Sequence, residues 1–89
     1  MELVPGQIVY SKSGRDKRRA FVVVASDGAY AYLADGELRR MDKPKKKKYM
    51  HIQPTAGVAR EIQEKLAEQR LVMDADIRKA LRDVARPTN

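Results

Sequence analysis

Basic side chains are concentrated in one short segment near the start of the chain, between apolar runs at 7–11 and 20–26. The segment carries Lys12, Arg15, Lys17, Arg18 and Arg19. Ammonium and guanidinium groups donate charged hydrogen bonds to phosphate oxygens, so a hairpin with such groups at its tip is suited to a phosphate backbone. Asp16 is the only acidic residue among them, and mutual repulsion makes a merely solvated tip the less favoured interpretation.

A second basic segment consists of Arg39, Arg40, Lys43, Lys45, Lys46, Lys47 and Lys48. It stands between two predicted strands, so we expect its lysine run to be a loop that becomes ordered on a polyanion. Lysine runs also occur as flexible tails, membrane-surface patches and localisation signals. Tyr49 and His51 follow on one face of the next predicted strand, where stacking on bases is an option. Tyr30 and Tyr32 have the same option, but we expect them to pack in the core or at its rim.

The charge distribution agrees with a polyanionic partner. The net charge is +7, and twelve of the nineteen Lys and Arg, against five of the twelve Asp and Glu, fall within residues 11–48. Charge that served solubility alone would be scattered along the chain. A localised positive field of this kind increases the rate of association with a polyanion.

Other classes of function are disfavoured by what the sequence lacks. With no Cys and one His, it offers no disulfide, thiolate or Cys-based zinc site, and it has no Gly-rich nucleotide loop. No nucleophile and base stand out together. We therefore predict a protein that is not an enzyme and has no cofactor or metal. No apolar run approaches the roughly 18–20 residues that span a bilayer, and the start lacks a signal-peptide pattern, so we expect a cytoplasmic protein with no membrane partner.

Two Asp-Gly dipeptides organise the first half of the chain as a meander of short strands. Asp27-Gly28 and Asp35-Gly36 suit tight turns, because glycine has no Cβ and adopts positive φ readily. The predicted strands are 7–11, 20–26, 29–34, 37–41 and 49–53. Apolar residues on both faces of the second strand place it at the centre. Closure of the five strands into a small barrel would remove the exposed edges.

The spacing of apolar residues becomes helical after Pro54. One stripe consists of Val58, Ile62 and Leu66, and a second of Ile77, Leu81 and Val84. Thr55 is the predicted N-cap of the first helix, and Pro87 ends the second. Helices this short need a surface, so we expect an αα-hairpin against the barrel or against a partner. The predicted class is α+β, with a barrel at 1–54 and a helical extension at 55–89 in one structural unit.

The segment 6–24 resembles a KOW motif, in which a Gly-x-x-Val-type strand, a Gly-x-Asp-Lys loop and an apolar strand follow one another. The strand is Gly6-Gln-Ile-Val9 and the loop is Gly14-Arg-Asp-Lys17. Asp35-Gly-Glu-Leu-Arg-Arg40, the lysine run and His51-Ile-Gln-Pro-Thr55 extend the likeness. Together they resemble the small stand-alone bacterial KOW-domain RNA-binding proteins, which are similar to a KOW-type large-subunit ribosomal protein of archaea and eukaryotes.

The resemblance implies an SH3-like barrel that binds RNA, often ribosomal RNA. It implies loop contacts from Lys12, Arg15, Lys17 and Arg19, and a second basic segment at 39–48. The chain departs from the motif at Arg18, where KOW loops usually carry a glycine. Glycine there would allow positive φ or a close approach of the backbone to RNA, whereas Arg18 adds a charge.

We therefore expect a non-catalytic RNA-binding protein associated with ribosomal RNA or the large ribosomal subunit. Its two basic segments would neutralise phosphates, and counterion release would supply most of the affinity. The alternative is a protein-interaction adaptor of the transcription or translation machinery, which would dock a ribosomal or transcription protein through its C-terminal helices. DNA binding is a third interpretation because it requires the same electrostatics.

Overall fold

The computed structural model describes residues 2–82 and 84 of the chain. The strands are β1 (Gln7–Ser11), β2 (Ala20–Ser26), β3 (Tyr30–Ala34), β4 (Lys45–Lys48) and β5 (Ile52–Val58). The helices α1 (Arg60–Ala67) and α2 (Asp74–Arg82) follow, and short 3₁₀ turns lie at Gly14–Asp16 and Tyr49–His51. The predicted α+β class is confirmed.

All strand pairs are antiparallel, and the five strands form one sheet in the order β4-β3-β2-β1-β5. β2 is therefore the central strand, as the sequence predicts. Within the described residues no backbone pairing joins the two edge strands β4 and β5, so the sheet is open. The predicted closure into a barrel is not seen as a hydrogen-bonded ladder.

The turn between β2 and β3 forms where the first Asp-Gly dipeptide predicts it. Asp27 Oδ1 accepts hydrogen bonds from the backbone N–H of Tyr30 at 2.7 Å and of Ala29 at 3.0 Å. These bonds hold the pKa of Asp27 below its usual value because they favour the ionised carboxylate. Gly28 has a φ of +94°, a conformation that is costly for a residue with a Cβ.

Apolar side chains cover both faces of the sheet. One face carries a cluster of buried residues, namely Leu3, Val9, Phe21, Val23, Ala31, Leu33 and Ile52. The other cluster consists of Ile8, Val22, Ile62, Val72 and Ile77. Successive residues of a strand point to opposite faces, so Phe21 and Val22 belong to different clusters. This arrangement confirms that both faces of β2 are covered.

Both helices pack on the sheet through their predicted apolar stripes. Ile62 of α1 is 2% exposed and Ile77 of α2 is fully buried, and both contact the cluster around Val22. Burial of a large aliphatic side chain contributes roughly 1.5–3 kcal/mol, which short helices need in order to form. The predicted end of the second helix at Pro87 lies outside the described residues.

The prediction of a strand at 37–41 is wrong, because Asp35 folds this segment into a compact loop. Its Oδ1 accepts hydrogen bonds from the backbone N–H of Glu37 at 2.9 Å and of Arg39 at 2.8 Å. The backbone N–H of Asp35 donates in turn to the carbonyl of Arg39 at 2.8 Å. Side-chain bonds of this kind compete with strand pairing and favour a turn.

The fourth strand is instead the lysine run, so the prediction of a loop for this run is wrong. Lys45–Lys48 pairs with β3 in a continuous antiparallel register, from Leu33 opposite Lys45 to Tyr30 opposite Lys48. Lysine has little intrinsic preference for strands, but charged side chains are common on edge strands, where they discourage pairing with other chains. The ladder offered by β3 therefore decides the conformation of this segment.

The predictions of a strand at 49–53 and of an N-cap at Thr55 are both wrong, because the strand and the helix begin later in the chain. Residues Tyr49–His51 form a 3₁₀ turn, and β5 runs through Thr55 to Val58. Thr55 Oγ1 donates to the carbonyl of Ile8 at 2.6 Å, which ties β5 to β1. The helix begins at Arg60, so Val58 belongs to the sheet and not to the helical stripe.

Candidate nucleic-acid interface

The loop between β1 and β2, residues 12–19, is held by its own backbone hydrogen bonds. The backbone N–H of Lys17 donates to the carbonyl of Gly14 at 3.2 Å, and the backbone N–H of Arg18 donates to the carbonyl of Ser11 at 2.8 Å. The exposed cations of the loop are Lys12, Arg15, Lys17 and Arg18. An ordered loop presents these charges without the full cost of ordering them on binding. The structure therefore places four of the five predicted loop cations in solvent.

Arg18 adopts the left-handed conformation that a KOW glycine would make easy. Its φ is +72°, and only one other described non-glycine residue, Gln69, has a positive φ. A residue with a Cβ pays roughly 1–2 kcal/mol in this region, because the Cβ approaches the following carbonyl oxygen. The backbone of the loop is thus compatible with the resemblance to a KOW loop, and Arg18 adopts a conformation that is strained for a residue with a Cβ.

Two ion pairs join this loop to the loop at 35–44. Arg19 Nη2 lies 2.8 Å from Asp35 Oδ2, and Arg39 Nη2 lies 3.1 Å from Asp16 Oδ2. Both aspartates are only 6% exposed, whereas the arginines are half-buried. The two basic segments, distant in sequence, therefore form one surface. Asp16 is directed inward, so it does not offset the exposed cations as the sequence suggests.

In the Arg19–Asp35 pair, the carboxylate of Asp35 is buried, and hydrogen bonds compensate its charge. Burial by itself would raise the pKa of Asp35, but the hydrogen bonds from Arg19 and from two backbone N–H groups outweigh it, so this pKa lies below its usual value. Arg19 and Arg39 thus hold the fold together, although the sequence assigns them to RNA contact. Both remain at the edge of the basic surface.

Arg40 lies beside the start of α2. Arg40 Nε is 3.2 Å from Asp74 Oδ2, and the backbone N–H of Met41 donates to Asp74 Oδ1 at 2.7 Å. The bond from Met41 and the charge of Arg40 hold the pKa of Asp74 below its usual value. Arg40 keeps 64% of its side chain exposed, and Lys43 is exposed as well. Both remain accessible to a ligand.

The lysines of β4 divide between the two faces of the sheet. Lys45 and Lys47 lie opposite Leu33 and Ala31 and are half-buried. Lys47 Nζ donates to the carbonyl of Ser13 at 3.3 Å, which brings β4 against the loop at 12–19. The other two, Lys46 and Lys48, lie opposite Tyr32 and Tyr30 and are exposed. The lysine run is therefore not a loop with all its charges together, but a strand with two lysines on each face.

Tyr30 and Tyr32 form an aromatic pair beside the exposed lysines. They are half-buried, belong to neither core cluster and share a sheet face with Lys46 and Lys48. Lys46 Nζ lies 4.5 Å from the centroid of the Tyr30 ring, a cation–π geometry. Partly exposed rings beside cations can stack on unpaired bases. Of the two positions predicted for this pair, in the core or at its rim, the structure excludes the core.

Tyr49 and His51 lie on the 3₁₀ turn, so the strand alternation that predicted a shared face does not apply to them. Tyr49 is half-buried and packs against the cluster that contains Phe21. His51 is also half-buried. The packing of Tyr49 leaves less of its ring for stacking than an exposed position would.

The basic residues of α2 are not among the sites that the sequence predicts. Arg78 Nη1 donates to the carbonyl of Gly36 at 2.8 Å, so α2 contacts the loop at 35–44. Arg82 lies one turn further along the same side of the helix. The two arginines are four residues apart, and each follows a residue of the apolar stripe. This spacing indicates that they lie on the same side of the helix. Their proximity to the first loop depends on how α2 packs.

A scan against protein-family models gives no match for this chain, and a search of curated proteins gives no match either. Within the part of the chain that the structure describes, no helix is both long and apolar enough to cross a membrane. Among the same residues, no three His, Asp or Glu side chains are grouped so that they could hold a metal ion.

Proposed function

We propose that this chain is a non-catalytic RNA-binding protein of the SH3-like KOW type, associated with ribosomal RNA. The observation that carries the proposal is that the loop at 12–19, the loop at 35–44 and the edge strand β4, which together hold the two basic segments, are joined to one another in the fold. Two ion pairs with buried aspartates and the Lys47–Ser13 hydrogen bond hold these parts together. Most of the cations at this surface have no acidic partner among the described residues.

The proposed fold type rests on the topology together with the KOW-like sequence. Five short antiparallel strands lie in the order β4-β3-β2-β1-β5, and a 3₁₀ turn separates β4 from β5. The first and last strands are neighbours, and the edge strands are adjacent in the chain. This arrangement is compatible with a small barrel that remains open between β4 and β5.

The proposed mechanism is neutralisation of phosphates by exposed cations. Within residues 12–48, seven exposed lysines and arginines take no part in an ion pair with a described residue: Lys12, Arg15, Lys17, Arg18, Lys43, Lys46 and Lys48. Each phosphate contact contributes about 0.7–0.9 to the slope of log K against log salt. Full use of the seven would give a slope of about −5 to −6. Tyr30 and Tyr32 would add base stacking where the RNA is unpaired.

A charge-matched pair of variants tests this function. Lys12→Glu/Lys17→Glu reverses two loop charges, whereas Arg60→Glu/Lys79→Glu makes the same change in net charge on exposed positions of α1 and α2. We expect the loop variant to weaken binding of a labelled RNA hairpin at least about tenfold and to flatten its salt dependence. The helix variant should stay within about threefold of the wild type. Equal losses in both variants would mean that only net charge matters.

Association with ribosomes needs a separate measurement. Native lysate is fractionated on a sucrose gradient at low and at high salt, and the position of the protein is followed. Co-sedimentation with a large ribosomal particle at low salt, with release at high salt, is the expected result, because contacts with phosphates are screened by salt. Sedimentation at the top of the gradient in both conditions would refute the ribosomal association.

The adaptor function remains a second candidate because of the connection between the helices. Leu71 is 76% exposed and Met73 is 55% exposed, and both flank the buried Val72. Exposed apolar side chains of this size are common in protein contacts. Leu71→Ser/Met73→Ser should leave RNA binding unchanged, so loss of function in cells with intact RNA affinity would favour the adaptor. Competition between an RNA hairpin and duplex DNA at matched salt tests the DNA alternative.

A further inference from the structure

A groove lies between the loop at 12–19 and α2, and it shares residues of both basic loops. Its basic lining consists of Arg18, Arg19, Arg78 and Arg82, and its other lining residues are Ala20, Asp35, Glu37 and Leu81. Four guanidinium groups thus face two carboxylates. Arginine is suited to phosphate because its planar fork donates parallel hydrogen bonds.

The donors of this groove are only partly used by the protein. Arg19 is paired with Asp35, and Arg78 gives one Nη1 bond to the carbonyl of Gly36. Arg18 and Arg82 are exposed, and neither forms an ion pair with another described residue. Because Arg19 neutralises Asp35, Glu37 is the one carboxylate of the lining that opposes an anion. The groove therefore keeps an excess of positive charge.

The two walls of the groove are fixed relative to each other. A Cβ at Gly36 would lie 2.5 Å from the carbonyl oxygen of Asp74, so only glycine permits this approach of the 35–44 loop to α2. Asp74 also accepts the backbone N–H of Met41 at 2.7 Å. The Arg19–Asp35 pair then connects the same loop to the first wall. Preorganised donors bind an anion without the cost of assembling the site.

We propose that this groove binds a backbone phosphate of the same RNA, so that α2 extends the interface beyond the loop. The inference rests on the proposed RNA-binding function and assigns to α2 a contact that its position in the chain does not suggest. Arg18 stands at the junction, since it belongs to both the loop and the groove. Arg82 is the contact on α2, and Arg78 combines support of the groove wall with a contact of its own.

Substitution of Arg82 tests the inference, with Lys79 as the matched control. Lys79 lies on the same helix and is also exposed, but it lines a different depression, together with Val58 and Arg60. Binding of a labelled RNA hairpin is titrated between about 50 and 200 mM salt. Arg82→Gln should reduce the salt slope by about 0.7–0.9 and weaken binding about four- to fivefold near 0.15 M salt, and Lys79→Gln should leave the slope unchanged.

The outcomes separate the groove from the function on which it rests. If the wild type binds the hairpin and Lys12→Glu/Lys17→Glu weakens binding at least about tenfold, but Arg82→Gln matches Lys79→Gln, then the groove proposal is wrong and the proposed function stands. If the wild type fails to bind even at the lowest salt, both are overturned. Arg78→Gln/Arg82→Gln should reduce the slope further than Arg82→Gln alone. Thermal unfolding of each variant shows whether loss of the Gly36 contact, and not of charge, accounts for the change.

Discussion

Replacement of Arg18 by glycine should increase stability and decrease RNA affinity. The residue combines two properties that the structure allows to be separated, a strained backbone with a φ of +72° and an exposed guanidinium. Glycine relieves the strain because it has no Cβ, and it removes the charge at the same time. The KOW-like loop would then carry the residue usual at this position.

The expected change in stability is small but measurable. Relief of the left-handed conformation contributes about 1–2 kcal/mol. Glycine loses more backbone freedom on folding than a residue with a side chain, which offsets about 0.5–1 kcal/mol. From the midpoints of these two ranges, the net gain in the free energy of unfolding is about 0.75 kcal/mol, equivalent to an increase of about 3–6 °C in Tm for a domain of this size.

The expected change in affinity has the opposite sign. Loss of one phosphate contact lowers the salt slope by about 0.7–0.9, which corresponds to about four- to fivefold weaker binding near 0.15 M salt. Arg18→Lys is the control, because lysine keeps both the cation and the strained backbone. This control should resemble the wild type in Tm and remain close to it in Kd.

Urea unfolding followed by circular dichroism and RNA titration by fluorescence anisotropy, on the same preparations, measure both quantities. An Arg18→Gly protein no more stable than Arg18→Lys would refute the argument from backbone strain. An unchanged salt slope in Arg18→Gly would remove Arg18 from the interface. Because the two quantities are independent, a general loss of folded protein cannot reproduce the expected pair of results.

Two further substitutions test how the loop at 35–44 is held. Gly36→Ala should destabilise the fold by about 2–4 kcal/mol, because the new Cβ would collide with the backbone of α2 and the residue has a positive φ. Gly28→Ala is the control, since Gly28 has a similar φ but nothing lies within 4 Å of its added Cβ. This control should lose only about 1 kcal/mol, and urea unfolding measures both changes. The pKa of Asp35 is lower in the folded state than its ordinary value of 3.8. The ionised carboxylate therefore stabilises the fold fully when the pH is above 3.8, and this stabilisation is lost as the pH falls through the lower pKa of the folded state. Asp35→Asn should therefore be less stable than the wild type by about 1–2 kcal/mol near pH 7, with a smaller difference near pH 3, and a constant difference between these pH values would contradict the role given to its charge.

The sequence was most informative where structure depends on near neighbours. The turn at Asp27-Gly28, the strands 7–11 and 20–26 and the helical stripes through Ile62 and Ile77 follow from turn chemistry and apolar spacing, and the structure contains them. The errors concern segments without apolar alternation. Lys45–Lys48 has no pattern of its own, and it becomes a strand because β3 offers it an edge.

The sequence by itself determined the sign and location of the charge, the central place of β2 and the amphipathic character of both helices. Only the tertiary structure decided which cations remain available to a ligand. Arg19 and Arg39 are paired with buried aspartates from distant parts of the chain, and α2 brings Arg78 and Arg82 to the first loop. The physical reason is that propensity and periodicity depend on residues close together in the sequence. An ion pair between two loops depends instead on strand order and helix packing, which bring distant residues together.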